Sequence, residues 1–481
     1  MPAVIPNAAP VCLITVLGLH LFSANVTIQS ENMKGEMPVE SKKIWNCPAG
    51  SFRGSEEEGV IQIKGIRYAE SKRFERPVPY RYPSGVHAMT EDAPAAVQLK
   101  SGVESYLNDA IYEKLPQEES CQYLSITLPG DAREGEYLPV MVWFHGGAFR
   151  NGTCDAPVYD RVPMVREGRV ILVGVNYRLS LLGFMKEKSG EPANLGLFDL
   201  IESLKWIQEN IACFGGDTDN VTIFGQSAGA EASRCIMLTP GTEHLWKRAI
   251  LHSDPIGTMT DRKKMERKML EELNTMPDDA PLDEVRRMQD AITKHVDERS
   301  LPRFMVFGPH IGVDPVPPES RHGSRLKEVM KDHQLMVGCT SREGAPYVGN
   351  NRTIQILRKT AAGRKGVETA VRLLSRAIFN DPGERFARQA AEAGGKVWYF
   401  DFYWKQGEHF LAGGNMMDLV PLFGGRRLGG VNMMLGMHPD ETMEAGRPMR
   451  KIWTEFARTG EITSPGVDGM LRIRRMEQNE G

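Results

Sequence analysis

Short, nearly uninterrupted apolar runs alternate along this chain with longer stretches in which apolar residues recur every three or four positions. Tyr137 to Phe144, Val170 to Asn176, Val221 to Phe224 and Ala249 to His252 are of the first kind. Each predicts a strand buried on both faces. Between the second and third runs, Leu197, Leu200, Leu204, Ile207 and Ile211 fall on one side at helical spacing, which predicts a helix near 195–214. A further helix is expected from Ala230 to Met237, directly after Ser227. Such alternation predicts an α/β fold with a mainly parallel sheet covered by helices. Gly257 to Phe304 is polar, charged and Met-rich, and its clearest helical part is Glu284 to Ile292. It reads as a cap over the sheet. Strands are expected again at Gln334–Cys339 and Lys396–Trp404. The last helix is expected to start near Arg447-Pro448, because proline suits a first turn. Met449, Ile452, Trp453 and Phe456 make its apolar stripe.

The pattern gains chemistry where the third run meets its helix. Gly225-Gln226-Ser227-Ala228-Gly229 is a G-x-S-x-G turn between an apolar strand and a helix. This is the arrangement of a nucleophile elbow, which presents a serine hydroxyl on a tight strand-to-helix corner. The flanking glycines suit a crowded backbone. The first run ends in His145-Gly146-Gly147-Ala148, a glycine loop whose bare amides can bind an oxyanion.

Composition narrows the alternatives. The chain has 481 residues, 41% hydrophobic and 25% charged, enough for a large core. Its net charge of −3 offers no footprint for nucleic acid. Ala8 to Phe22 is apolar, but Lys34 is the first cation, Pro10 and His20 interrupt the run, and its length is short for a membrane span. Residues 1–40 therefore read as an N-terminal extension, with a degenerate secretion signal as the alternative, and no stable membrane anchor is expected. Residues 41–465 read as one domain and 466–481 as a C-terminal tail. The seven cysteines are unclustered and odd in number, which is no disulfide framework. A reducing cytoplasm is the expected location. Nothing calls for a metal or a cofactor.

Asn194-Leu-Gly-Leu-Phe-Asp199, Trp206-Ile-Gln-Glu-Asn-Ile211, Phe214-Gly-Gly-Asp217 and the run from Asp219 through Gly229 closely resemble the type-B carboxylesterase/cholinesterase family. Lys64-Gly-Ile-Arg-Tyr-Ala69, Asn176-Tyr-Arg-Leu179, Leu182-Gly-Phe184 and Phe456-Ala-Arg-Thr-Gly460 fit the same pattern. The resemblance spans residues 47–462. It implies an α/β-hydrolase fold with cap insertions, a small-molecule ester substrate and a Ser–Glu–His triad. Ser227 would be the nucleophile, and the amides of Gly146, Gly147 and Ala228 the oxyanion hole. Glu343, in Val337-Gly-Cys-Thr-Ser-Arg-Glu-Gly344, matches the family's acid. Secreted members have a bridge at the position of Cys121, but its partner is missing from Pro94–Leu99.

The base departs from the family. Its histidine stands four residues before a Leu or Ile that opens an apolar run; here Leu419 opens that run and Asn415 holds the position. Asparagine hydrogen-bonds but does not titrate near neutrality. His409 reads as a surface residue, His438 as a cap before the next helix, and His252 as packed. His145 belongs to the oxyanion loop. Two classes of function follow: a serine esterase weakened by Asn415, with His409 or water as a weak base, or a catalytically impaired binding protein on the same scaffold. The identity of the ester and the oligomeric state are left open.

Overall fold

Twelve strands line up in one sheet among the residues that the computed structural model describes, which are 39–98, 116–296, 300–349, 352–404, 409–424, 434 and 436–477. In chain order they are β1 (Val39–Glu40), β2 (Ser55–Glu57), β3 (Val60–Arg67), β4 (Tyr123–Pro129), β5 (Leu138–Phe144) and β6 (Ile171–Val175). There follow β7 (Gly216–Gln226), β8 (Arg248–His252), β9 (Gln334–Thr340), β10 (Lys396–Phe402), β11 (Gly466–Val467) and β12 (Leu471–Arg475). Their order across the sheet is β1-β2-β3-β4-β6-β5-β7-β8-β9-β10-β12-β11. The six strands from β6 to β10 run parallel, and antiparallel strands close both flanks.

Alternate residues of the central strands feed two separate cores, as a period of two requires. Val140, Val142, Phe144, Ile223, Leu251 and Val337 face one, with α1 (Leu195–Asn210) and α2 (Ala228–Leu238) packed over them. Met141, Trp143, Phe224, Ile250 and Met336 face the other, beneath the helices Leu419–Phe423 and Pro439–Thr459. The expected stripe of Leu197, Leu200, Leu204, Ile207 and Ile211 is buried in the first core. The cap expected over 257–304 contains α3 (Lys263–Leu273) and α4 (Leu282–Lys294). After β9 come α5 (Ala345–Val348), α6 (Arg352–Leu357) and α7 (Ala361–Ser375), and a further helix, Asp381–Glu392, leads into β10. The last two helices are α8 (Leu419–Phe423) and α9 (Pro439–Thr459).

Three boundaries differ from expectation. The last helix begins at Pro439, not near Arg447, and Pro448 lies inside it. Its true start carries a different signal: His438 caps it by accepting from Asp440 N, and the Glu441 side chain reaches back to the His438 amide. The segment read as a tail from 466 supplies β11 and β12, and β12 pairs with β10 from Phe402↔Leu471 to Trp398↔Arg475. Its alternation is real but short, and the two arginines at its end disguised it as solvated chain. At the other end, Val39–Glu40 already pairs with Ser55–Glu56. The rest of the expected extension, 1–38, lies outside the described residues.

Candidate active site

The carboxyl ends of the parallel strands bring the sequence-nominated residues together, which is where open α/β sheets bind ligands. Ser227 follows β7 with φ 54° and ψ −119°, a strained conformation for a residue with a side chain. Its amide donates to His252 O at 2.8 Å. The glycines beside it are required by contact. A Cβ on Gly229 would stand 1.9 Å from Phe144 O, and one on Gly225 2.4 Å from the Gly229 carbonyl carbon. Ser227 is only 4% exposed.

The glycine loop after β5 lies against the turn that carries Ser227. A Cβ on Gly146 would meet Gln226 O at 2.6 Å, and Gly147, at φ 114°, closes a turn by accepting from Arg150 N and Asn151 N. Ala148 and Phe149 also take positive φ values. The amides of Gly146, Gly147 and Ala228 find no acceptor among the described residues. His145 is buried against Tyr177 with ring centroids 4.7 Å apart, and burial lowers its pKa to about 4, so the ring adds no charge to the loop.

Glu343 sits in the turn after β9 and is fully buried. Its Oε1 accepts from Thr340 N at 2.5 Å and from Ser253 Oγ at 2.5 Å. Its Oε2 accepts from Asn415 Nδ2 at 2.6 Å. Burial raises its pKa to about 7, while the bonds from Ser253, Asn415 and Thr340 hold it from rising further and the nearby Asp418 charge adds to the rise. Asn415 then passes the chain on, because its Oδ1 accepts from Gln226 Nε2 at 3.0 Å. The asparagine thus bridges Glu343 and Gln226, the residue preceding Ser227. Both ends of its amide are occupied.

The other histidines stand apart from this chain. His409 is exposed, and its Nδ1 accepts from Leu411 N at 3.2 Å. His438 caps α9. His252 is buried between Asp418, 2.7 Å from its Nδ1, and Trp453, whose indole N–H donates to its Nε2 at 2.9 Å. An indole nitrogen only donates. Nε2 is therefore an acceptor, the ring proton resides on Nδ1, and both nitrogens are used.

Sequence reasoning missed one neighbour of Ser227. The Tyr347 hydroxyl hydrogen-bonds with Ser227. Tyr347 stands one helical turn beyond Glu343, on α5, with its ring packed at 5.4 Å from Phe304 and 5.9 Å from Phe379. Burial and then the Glu343 charge raise its pKa, so it is a neutral phenol. The i, i+4 spacing from Glu343 is the one sequence signal that pointed to it.

The Carboxylesterase family model matches residues 41–361. The chain belongs to the carboxylesterase family. A relative named "Probable N-octanoylanthranilate hydrolase AqdA2", from Rhodococcus erythropolis, is 30% identical over 431 residues, covering 87% of this chain and 93% of that protein. The para-nitrobenzyl esterase of Bacillus subtilis is 28% identical over 459 residues, covering 87% and 90%. A solved thermophilic pNB esterase superposes with a TM-score of 0.75 at 25% identity, over 90% of this chain and 98% of that one. This carboxylesterase-type hydrolase therefore has the α/β-hydrolase fold.

Proposed function

We propose that this carboxylesterase-family protein is a serine hydrolase for small, uncharged carboxylic esters whose turnover is depressed by Asn415. The observation that carries the proposal is the bond from Asn415 Nδ2 to Glu343 Oε2, which puts an amide where a base paired with the acid would stand. In this reading Ser227 Oγ attacks the ester carbonyl carbon. The carbonyl oxygen takes the negative charge and is held by the amides of Gly146, Gly147 and Ala228. The alcohol leaves with a proton, and water then releases the acid from Ser227. The serine proton goes to solvent, since Asn415 accepts none and His409 is engaged within its own loop. Losing the base costs on the order of 10⁶ in turnover in the measured serine-protease case.

Asn415→His restores an imidazole beside Glu343. General-base help is worth roughly 10²–10⁴-fold. The variant should hydrolyse p-nitrophenyl esters faster than the parent, with a pH profile set by an imidazole, while Ser227→Ala abolishes both turnover and fluorophosphonate labelling. A parent with full activity and no gain from Asn415→His would remove the proposal.

A second reading, a binding protein on the esterase scaffold, is favoured by the fact that both ends of the Asn415 amide are engaged away from Ser227. Absence of labelling in both parent and Asn415→His would select it. We also place the protein in the cytoplasm. The six cysteines among the described residues are unbridged, and burial raises the Cys121 thiol far above its usual range. Thiol titration of the denatured, unreduced chain should find every cysteine free, and a protected pair would point to secretion.

A further inference from the structure

The chain carries a net charge of −3, yet one short region concentrates the opposite sign. Between Arg352 and Arg376 stand seven cations and a single carboxylate, Glu368. Glu368 is engaged with Arg342 at 2.7 Å, and Arg376 with Asp381 at 3.1 Å. Arg352, Arg358, Lys359, Arg364, Lys365 and Arg372 have no carboxylate partner among the described residues. The same region holds three of the exposed large aliphatic side chains: Ile356 at 53%, Leu357 at 37% and Leu373 at 40%.

The helices are two-sided. Val367, Val371 and Leu374 of α7, with Ile354 of α6, face inward and pack in one cluster with Ala345, Val348 and Tyr347. Ser375 Oγ accepts from Gly344 N at 2.9 Å, next to Glu343. Lys365, Arg372 and Leu373 lie on the side of α7 away from that cluster and are exposed. Cations interleaved with bare aliphatics on the outer face of a helix are the pattern of a helix that lies in a lipid interface. A nucleic-acid surface would need the cations but has no use for the aliphatics, and this stretch offers no exposed aromatic ring for stacking on bases.

We propose that the outer face of α6 and α7 docks the protein on an anionic lipid surface. The cations face the headgroups while Ile356, Leu357 and Leu373 enter the boundary below them. The inner face of α7 braces the turn that holds Glu343 and Tyr347, so docking places the candidate site beside the lipid.

The test is flotation of the full chain with vesicles of phosphatidylcholine alone or with 30% phosphatidylserine. The parent should partition at least tenfold more strongly to the serine-lipid vesicles, and 0.5 M NaCl should abolish most of the difference. Removing three cations near such a surface weakens partition roughly a hundredfold, so a Lys359→Glu, Lys365→Glu, Arg372→Glu variant should fail to float. An Ile356→Ser, Leu357→Ser, Leu373→Ser variant should weaken binding severalfold. Matching melting curves will show that both variants fold. No binding by the parent, equal binding to neutral vesicles, or binding untouched by either variant would overturn the proposal. So would equally tight binding to heparin with no effect of the aliphatic variant, since that marks a general polyanion surface. None of these readouts depends on turnover at Ser227.

Discussion

Glu343 holds its proton to a higher pH than it would in the unfolded chain, and that makes it a source of pH-dependent stability. Its folded pKa is raised to about 7 from an ordinary 4.5. The raised value means that its linked stability is complete below about pH 4.5 and is lost as the pH climbs through 7. The loss amounts to about 3 kcal/mol. Urea unfolding of the parent and Glu343→Gln at pH 5 and pH 8 should show the parent losing that much relative to the variant, and a constant difference would refute the assignment. Tyr347→Phe keeps the ring contacts with Phe304 and Phe379 and removes only the hydroxyl bonded to Ser227. It should slow fluorophosphonate labelling about fivefold to tenfold with little change in melting temperature; an unchanged rate would leave Tyr347 a packing residue. The sequence made Ser227, the glycines and Glu343 visible because each sits in a local motif. Asn415 was visible through spacing alone. The partners that define their chemistry were not, because Gln226 reaches Asn415 across 189 residues, and Trp453 reaches His252 across 201. No local pattern encodes such meetings.

At the scale of elements, the parallel strands and the helix over 195–210 followed from periodicity, whereas the strands Val60–Arg67 and Tyr123–Pro129 and the helix Ala361–Ser375 were not expected, and the start of α9 was misplaced. Proline was the misleading signal in α9. Pro448 is exposed in the middle of the helix and leaves Glu444 without an intrahelical donor. The same helix holds a second proline, Pro439, at its first position, where the missing N–H is harmless. Two substitutions should therefore shift stability in opposite directions. His438→Ala removes the cap and should cost about 1 kcal/mol. Pro448→Ala restores a backbone donor and should add about 1–3 kcal/mol. Thermal or urea unfolding of both variants checks the pair, and destabilisation by Pro448→Ala would mean that the ring packs more than its exposure suggests. Close approach also shapes α9, since a Cβ on Gly446 would stand 1.9 Å from Pro421 O on α8.

At the scale of the molecule, family membership and the mainly parallel character of the sheet were legible early, whereas the order of its strands and the closing of the sheet were not. β12 is five residues long, and only Leu471 and Ile473 of it are buried. Yet it pairs with β10 from Trp398 to Phe402, five of that strand's seven residues. A chain ending at Thr463 would lose those two side chains, at about 1.5–3 kcal/mol each, and would bare a strand edge. It should aggregate in light scattering at concentrations where the full chain stays clear; a clear solution would show that β10 needs no cover. The same pairing has a consequence in time. Ribosomes release β10 well before β12, and the separation is about seventy residues, or roughly 4–14 s at ordinary rates of synthesis. Through that interval the nascent sheet presents an open backbone edge to the crowded cell. A pause in translation between codons 403 and 470 would lengthen the exposure and make the yield of folded protein depend on holding chaperones, even though no residue of the finished molecule had changed.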